Sequence, residues 1–158
     1  MKIEFQDIRS ADAEALASLN TASFPTAWGE RWSAGDVKSA LSMGGVRARA
    51  AKADGSAKSD PLIGFVLARQ VMDEAEILLI GVDTQFRRQG IGQKLLEDFF
   101  KDAKSRRIRR VFLEVRECNE AARALYRKLG FITVGQRPGY YRNKAGKTAP
   151  ALTLERRI

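Results

Sequence analysis

The stretch from residue 75 to residue 105 places the strongest constraint on the fold of this chain. It opens with AEILLIGV, a nearly continuous apolar run that predicts a strand buried on both faces. The turn RRQGIG follows, and a long helix then runs from about Gly90 to Ser105 with apolar residues at every third or fourth position. Because a strand buried on both faces needs elements packed above and below it, we expect a layered α/β fold.

The remaining periodicities predict six further strands and three further helices, in the order β-α-α-β-β-β-α-β-α-β-β. The predicted strands cover 3–9, 46–50, 62–71, 75–82, 111–116, 131–136 and 151–155, and the predicted helices cover 12–23, 34–41, 90–105 and 119–129. Ser10 is expected to cap the first helix, and residues 51–60 are expected to form a mobile hairpin loop. No repeat or change of composition divides the chain, so we expect one domain over 1–158 with a mixed sheet and about four helices.

Composition narrows the chemistry that the chain can perform. It has no histidine and one cysteine, so Ser-His-Asp catalysis, His-ligated zinc and cysteine-rich metal sites are excluded, and we expect no metal. No apolar run is long enough to span a bilayer and the N-terminus has no secretory signal, so we expect a cytoplasmic protein without membrane contact. The net charge of +9 favours polyanionic partners or serves solubility alone.

The glycine-bearing turn between the apolar strand and the long helix is the first candidate site. Two glycines one residue apart, Gly90 and Gly92, leave backbone N–H groups unshielded at the positive end of a helix dipole. Those groups suit a pyrophosphate, and Arg87, Arg88 and Lys94 add positive charge. A Walker loop and a dinucleotide fingerprint both fit worse, since the required lysine and third glycine are missing. A plain strand-to-helix turn stays open as the alternative.

Two side chains further along the chain are candidates for proton transfer. Glu114 lies mid-strand in VFLEVR, where partial desolvation would favour a general base, although pairing with Arg116 or Arg110 is the simpler interpretation. Leu125 and Leu129 belong to the predicted buried stripe of the helix that carries Tyr126. The Tyr126 side chain projects about 100° further round this helix, so it is expected at the border of the buried face. Its hydroxyl could then reach a cleft, or it could be an ordinary boundary tyrosine.

The order and spacing of these features resemble the GNAT superfamily of N-acetyltransferases: a strand, R-x-x-G-x-G, a long helix, a strand with L-E-V-R, and N-x-x-A-x-x-L-Y-x-x-L-G-F. The resemblance implies the GNAT fold, acetyl-CoA as donor, Glu114 as proton acceptor and Tyr126 as proton donor to the departing thiolate. It also implies a set of residues that contact the cofactor along the strand, in the loop and at the start of the next helix. These are Ile80, Gly81, Val82, Arg87, Arg88, Gln89, Gly90, Ile91, Gly92, Gln93 and Asn119.

Within the superfamily the sequence is most similar to the bacterial ribosomal-protein-alanine N-acetyltransferases. This similarity implies a protein substrate with a free N-terminal amine, namely a ribosomal protein, and a monomer or weak dimer. We expect no direct nucleic-acid binding, since no RNA-binding motif accompanies the basic run at 106–110, although RNA contact through Arg106, Arg107, Arg109 and Arg110 stays open as an alternative. Acetylation of lysine or of a small amine, and a non-catalytic CoA-sensing module, remain alternatives. Arg87 and Thr84 depart from the common pattern, and the long 51–60 loop leaves the peptide preference open.

Overall fold

The computed structural model describes residues 1–24, 28, 32–53 and 61–158. The order of elements predicted from the sequence is confirmed. The strands are β1 Ile3–Ile8, β2 Val46–Ala53, β3 Leu62–Val71, β4 Glu74–Val82, β5 Arg110–Arg116, β6 Ile132–Arg142 and β7 Thr148–Arg157. The helices are α1 Ala13–Ser23, α2 Ala34–Ser42, α3 Ile91–Ser105 and α4 Glu120–Lys128. Short 3-10 turns cover Ser10–Asp12 and Thr84–Phe86.

The seven strands form one mixed sheet in the order β1-β2-β3-β4-β5-β7-β6. All neighbouring pairs are antiparallel except β4 and β5, which are parallel. A parallel pair needs a long crossover connection, and α3 supplies it. None of the helices formed by the described residues combines the length and hydropathy that a bilayer span requires.

Two apolar clusters cover the two faces of the sheet around β4. One lies under α3 and α4 and includes Leu95, Phe99 and Ile77, which are at most 5% exposed. The other lies under α1 and α2 and includes Leu16 and Leu79. Since β4 contributes to both clusters, the prediction of a strand buried on both faces is confirmed.

Three details of the predicted elements are wrong. Ser10 does not cap α1, because it lies inside the preceding 3-10 turn and Asp12 holds the N-cap position. The buried stripe of α4 is centred on Tyr126, the only buried residue of that helix, whereas Leu125 and Leu129 are half-buried. Tyr126 is therefore a core residue of the chain, because its ring fills the space between α4 and the sheet.

The last two strands are also longer than predicted. Residues 137–142 extend β6 past a proline and two glycines, through an irregular register between Arg137 and Tyr141. An edge strand tolerates such breaks because only one side of it must pair. The predicted 51–60 loop is partly strand, since residues 51–53 belong to β2. Positions 54–60 lie outside the described residues.

Candidate active site

A wedge-shaped gap between β4 and β5 is the main opening in the sheet. The two parallel strands pair only from Glu74 opposite Arg110 to Ile77 opposite Leu113. Beyond that point β4 continues to Val82 with β3 as its only partner. Residues 78–82, the five that have no partner on the β5 side, span about 16 Å of strand edge. The sheet therefore presents a slot long enough for an extended chain of atoms.

An irregularity in β4 accounts for this divergence. Leu67 pairs with Leu79 whereas Ala68 pairs with Ile77, so Leu78 is an extra residue in β4. An extra residue of this kind bends the strand and increases its local twist, which turns the end of β4 away from β5. The bulge also exchanges the two faces of β4, so that Ile77 and Leu79 belong to clusters on opposite sides of the sheet.

The backbone of Ile80, Gly81 and Val82, predicted to contact a cofactor, lines the gap. The N–H of Asp83 donates to the carbonyl of Ile63 in β3 at 3.0 Å. Because the hydrogen-bonding direction alternates along a strand, the N–H groups of Val82 and Ile80 are directed away from β3 and into the gap. They are donors that can meet a carbonyl oxygen placed there.

The glycine-bearing turn at the carboxyl end of β4 is open to solvent. Arg88 and Gly90 adopt left-handed backbone conformations with φ of 63° and 75°, and no atom lies within 4 Å of the position that a Cβ on Gly90 would occupy. Helix α3 begins at Ile91 without a side-chain cap, so its first N–H groups donate to no capping side chain. Exposed N–H groups at a helix N-terminus form an anion-binding site.

Individual residues of this turn differ in what they can contribute. Arg88 and Gln89 are exposed at the turn, whereas Ile91 is 1% exposed and can offer only its backbone N–H. The amide of Gln93 donates to Glu97 at 2.8 Å, on the outside of α3. Gly92 brings α3 close to α4, because a Cβ there would lie 3.3 Å from the Leu125 side chain.

The side chain of Arg87 turns away from the mouth of the loop, contrary to the expectation that it adds positive charge there. Its Nε donates to the carbonyl of Val82 at 3.2 Å, and its other end donates to the carbonyl of Ser23 at the end of α1. Arg87 therefore ties the end of α1 to the end of β4. Its side chain therefore supports the turn, whereas the charge of Arg88 and the N-terminus of α3 remain available to bind an anion.

Glu114 lies on the face of β5 opposite α3, where a cleft of about 270 Å³ opens. Its side chain is 20% exposed, and the carboxylate Oε1 lies 3.3 Å from Nε of Arg137 in β6. Arg110, one of the two partners that the simpler sequence interpretation named, instead pairs with Glu74 at 3.0 Å and with Glu155 at 2.7 Å. Sequence reasoning missed Arg137 because the contact spans three strands and no local pattern links the two residues.

Tyr126 lies on the other side of β5, within the cluster under α3 and α4. It is 6% exposed, and its ring meets Phe131 edge to face with centroids 5.7 Å apart. Burial raises the pKa of the Tyr126 phenol well above its usual value, and the nearby Tyr141 raises it further. The phenol therefore keeps its proton to a higher pH than an exposed tyrosine does.

No contact among the described residues joins Glu114 to Tyr126. Glu114 is carried by β5 and Tyr126 by α4, and the two side chains lie on opposite faces of β5.

Asn119 holds the start of α4 in place. Its side-chain oxygen accepts from the N–H of Ala122 at 3.2 Å, as a helix N-cap does. The amide nitrogen of the same side chain is a donor that the cap does not use. Asn119 therefore positions the helix that carries Tyr126.

Several further aromatic side chains make ordinary packing contacts. Arg116 stacks on Trp28 with 5.1 Å between its guanidinium carbon and the ring centre, and Trp32 packs against the cluster under α1 and α2. Tyr140 and Tyr141 meet edge to face at 5.1 Å. Cys118 is exposed as a free thiol.

Comparison with known proteins identifies the class that this fold and site define. The family described as "Acetyltransferase (GNAT) family" matches residues 13–131, so the chain belongs to the GNAT acetyltransferases, whose acetyl donor is acetyl-CoA. The chain is 39% identical over 87 residues to the "[Ribosomal protein bS18]-alanine N-acetyltransferase" of Salmonella typhimurium, a match that covers 55% of this chain and 59% of that protein. It is also 39% identical over 106 residues to "N-alpha-acetyltransferase RimI" of Mycobacterium tuberculosis, covering 65% and 63%.

The chain thus spans less than two thirds of the length of these curated relatives. Solved structures match over nearly all of it. The ribosomal-protein-S18-alanine N-acetyltransferase from Escherichia coli is 27% identical with a TM-score of 0.86, covering 99% of this chain and 94% of that chain. Arabidopsis thaliana NAA60 in complex with acetyl-CoA, at 24% identity and a TM-score of 0.81 over 99% of both chains, shares the fold. The predicted fold class is therefore confirmed.

Proposed function

We propose that this chain transfers the acetyl group of acetyl-CoA directly to the N-terminal α-amino group of a ribosomal protein. The observation that carries the proposal is the gap between β4 and β5, which ends at an uncapped helix N-terminus. The names of the relatives in Salmonella and Escherichia support the choice of a ribosomal-protein N-terminus. We also propose that residues 1–158 act as a single domain.

Acetyl-CoA would lie across the sheet edge with its diphosphate at the glycine-bearing turn. The N–H groups of Gly90, Gly92 and Gln93, aided by the charge of Arg88, would bind the diphosphate oxygens. The pantetheine arm would extend along Ile80–Val82, where a backbone N–H directed into the gap can polarise the thioester carbonyl. The free amide nitrogen of Asn119 would contact the donor near its sulfur end.

Glu114 and Tyr126 would carry the two protons that the reaction moves. The incoming ammonium would lose one proton to the Glu114 carboxylate, and the amine nitrogen would then bond to the carbonyl carbon. The carbon–sulfur bond would break as the phenol of Tyr126 protonates the thiolate, and the second proton lost by the nitrogen would return to the Tyr126 phenolate, directly or through solvent. A raised phenol pKa suits this role, because Tyr126 stays protonated until the sulfur leaves. The transfer needs no covalent enzyme intermediate.

An α-amino group fits a carboxylate base better than a lysine does. The α-amino pKa is about 7.7–8.0 and that of lysine about 10.4, so the lysine proton costs about 3 kcal/mol more to remove. A net charge of +9 also disfavours polycationic small amines as substrates. Both arguments favour a protein N-terminus over the alternatives.

Three substrates presented with acetyl-CoA test this proposal. The first is a peptide with a free N-terminal alanine, the second is the same peptide with a blocked N-terminus and one internal lysine, and the third is a panel of small amines. We expect product from the first alone, measured by mass spectrometry, and a loss of rate in Glu114→Gln. Transfer only to lysine or to small amines would overturn the substrate assignment. Acetyl-CoA binding without any transfer would support a CoA-sensing module instead.

A further inference from the structure

A basic groove lies between the second half of α3, the end of α4 and the end of β7, with a volume of about 670 Å³. Five cations line it, namely Lys101, Lys104, Lys128, Arg156 and Arg157. Glu97 is the one carboxylate among the described residues that line it, and this carboxylate accepts from Gln93 at 2.8 Å. The groove is therefore a concentrated positive surface.

One guanidinium of the groove stacks on an aromatic ring. Arg156 lies over the ring of Phe100, with 4.1 Å between its guanidinium carbon and the ring centre. A guanidinium stacked in this way keeps the N–H groups at its edge for a bidentate acceptor such as a phosphate.

The lysines around this guanidinium have charge to spare. Lys101, Lys104 and Lys128 are exposed, and no ion pair within the described part of the chain involves them. Lys128 also lies in the last turn of α4, where its charge complements the helix dipole. Three exposed ammonium groups beside one stacked guanidinium suit a row of phosphates.

Several arginines elsewhere on the chain are held in ion pairs. Arg49 pairs with Asp98 at 2.5 Å and with Asp7 at 2.9 Å. Arg106 pairs with Asp102 at 2.9 Å, so the basic run at 106–110 is partly occupied by internal ion pairs. In the groove Arg157 lies 3.9 Å from Glu155, and the three lysines remain for a ligand.

The groove is separate from the proposed acetyl-CoA site. Lys101 follows Ile91 by ten residues along α3, which places the two about 15 Å apart along the helix axis. A ligand in the groove therefore leaves the glycine-bearing turn at the start of α3 accessible.

We infer that this groove binds the phosphodiester backbone of RNA. The charge pattern selects a polyphosphate, and the choice of RNA rests on the proposed function, because a ribosomal-protein substrate is associated with RNA. The expectation of no nucleic-acid contact came from the lack of a linear motif. The groove is assembled from α3, α4 and β7, which are far apart in sequence, so no linear motif could reveal it.

Binding of a fluorescein-labelled RNA hairpin across a sodium chloride series tests the inference. The variant replaces Lys101, Lys104 and Lys128 with glutamine. Its matched control replaces Lys2, Lys38 and Lys144, three exposed lysines outside the groove, and so removes the same charge. Each phosphate contact contributes about 0.9 to the salt slope of duplex binding, so loss of three contacts lowers the slope by about 2.7 and weakens binding more than about tenfold.

We expect the control to bind like the unmodified chain, and both variants to keep its melting temperature. Lys101→Glu, a single exposed change, should weaken RNA binding in the same direction. Equal loss in the variant and the control, or no loss in either, would overturn the inference. So would groove-dependent binding of an acidic peptide as tight as that of RNA.

The same proteins are assayed for acetylation of the free alanine peptide without RNA. The groove variant should acetylate it at the unmodified rate, because the groove lies away from the reacting atoms. If the unmodified chain does not acetylate the peptide at all, the proposed function fails, while the RNA measurement still decides whether the groove binds phosphates.

Discussion

Replacing Tyr126 with phenylalanine isolates the proposed proton donor. The ring is 6% exposed and packs on Phe131, and phenylalanine keeps that packing while it removes one hydroxyl. General acid catalysis contributes about 10²–10⁴-fold in rate, which corresponds to about 2.7–5.4 kcal/mol of barrier. Loss of one hydroxyl should change the free energy of unfolding by no more than about 1.5 kcal/mol. We therefore expect a large fall in kcat in a folded protein.

The assay follows release of CoA thiol with the free alanine peptide, while calorimetry measures the Kd of acetyl-CoA. Tyr140→Phe is the matched control, since Tyr140 is 52% exposed and makes its ring contact with Tyr141 outside the core. We expect kcat to fall at least about a hundredfold in Tyr126→Phe and the Kd to stay the same. Turnover within threefold of the unmodified chain would refute the assigned role of the phenol.

The raised pKa of Tyr126 gives a second, independent readout of the same variant. The unfolded phenol titrates near the ordinary value of 10.0, while the folded phenol titrates higher. Below pH 10 both states hold the proton and the stabilising effect is complete. As the pH rises from 10 towards the folded pKa, only the unfolded state loses its proton, so the free energy of unfolding falls by about 1.4 kcal/mol per pH unit. Tyr126→Phe should lack this component in urea titrations, and parallel pH curves for both proteins would contradict the burial argument.

Two further substitutions separate packing from binding. Gly81→Ala places a Cβ 2.8 Å from the Phe65 ring and 3.0 Å from Ser23, so we expect the free energy of unfolding in urea to fall by about 1–3 kcal/mol. An unchanged urea midpoint would show that the end of α1 moves easily to accept the methyl group. Asn119→Ala removes the hydrogen bond to the N–H of Ala122, and it should cost about 1 kcal/mol of stability and raise the Kd of acetyl-CoA. A loss of stability with no change in Kd would restrict Asn119 to the helix cap.

The amino-acid pattern was sufficient for the order of the elements and for the turn that starts α3. The apolar run 75–82 and the stripe of α3 are local periodicities, and a local periodicity determines which face is buried without reference to other strands. The same holds for Asn119, whose preference for the N-cap is intrinsic to its side chain. Positions that depend on a distant strand were predicted less well, as the longer β6 and the burial of Tyr126 illustrate.

The sequence by itself determined the layered α/β class and the position of the glycine-bearing turn, and it named Glu114 and Tyr126 as candidates for proton transfer. Only the tertiary structure decided that β4 leaves β5 after Ile77, that Arg137 meets Glu114 from two strands away, and that the side chain of Arg87 bonds to the end of β4. The basic groove belongs to this second group. The physical reason is that strand register, ion pairs and converging helix ends join residues distant in the chain, and their geometry follows from how the whole core packs.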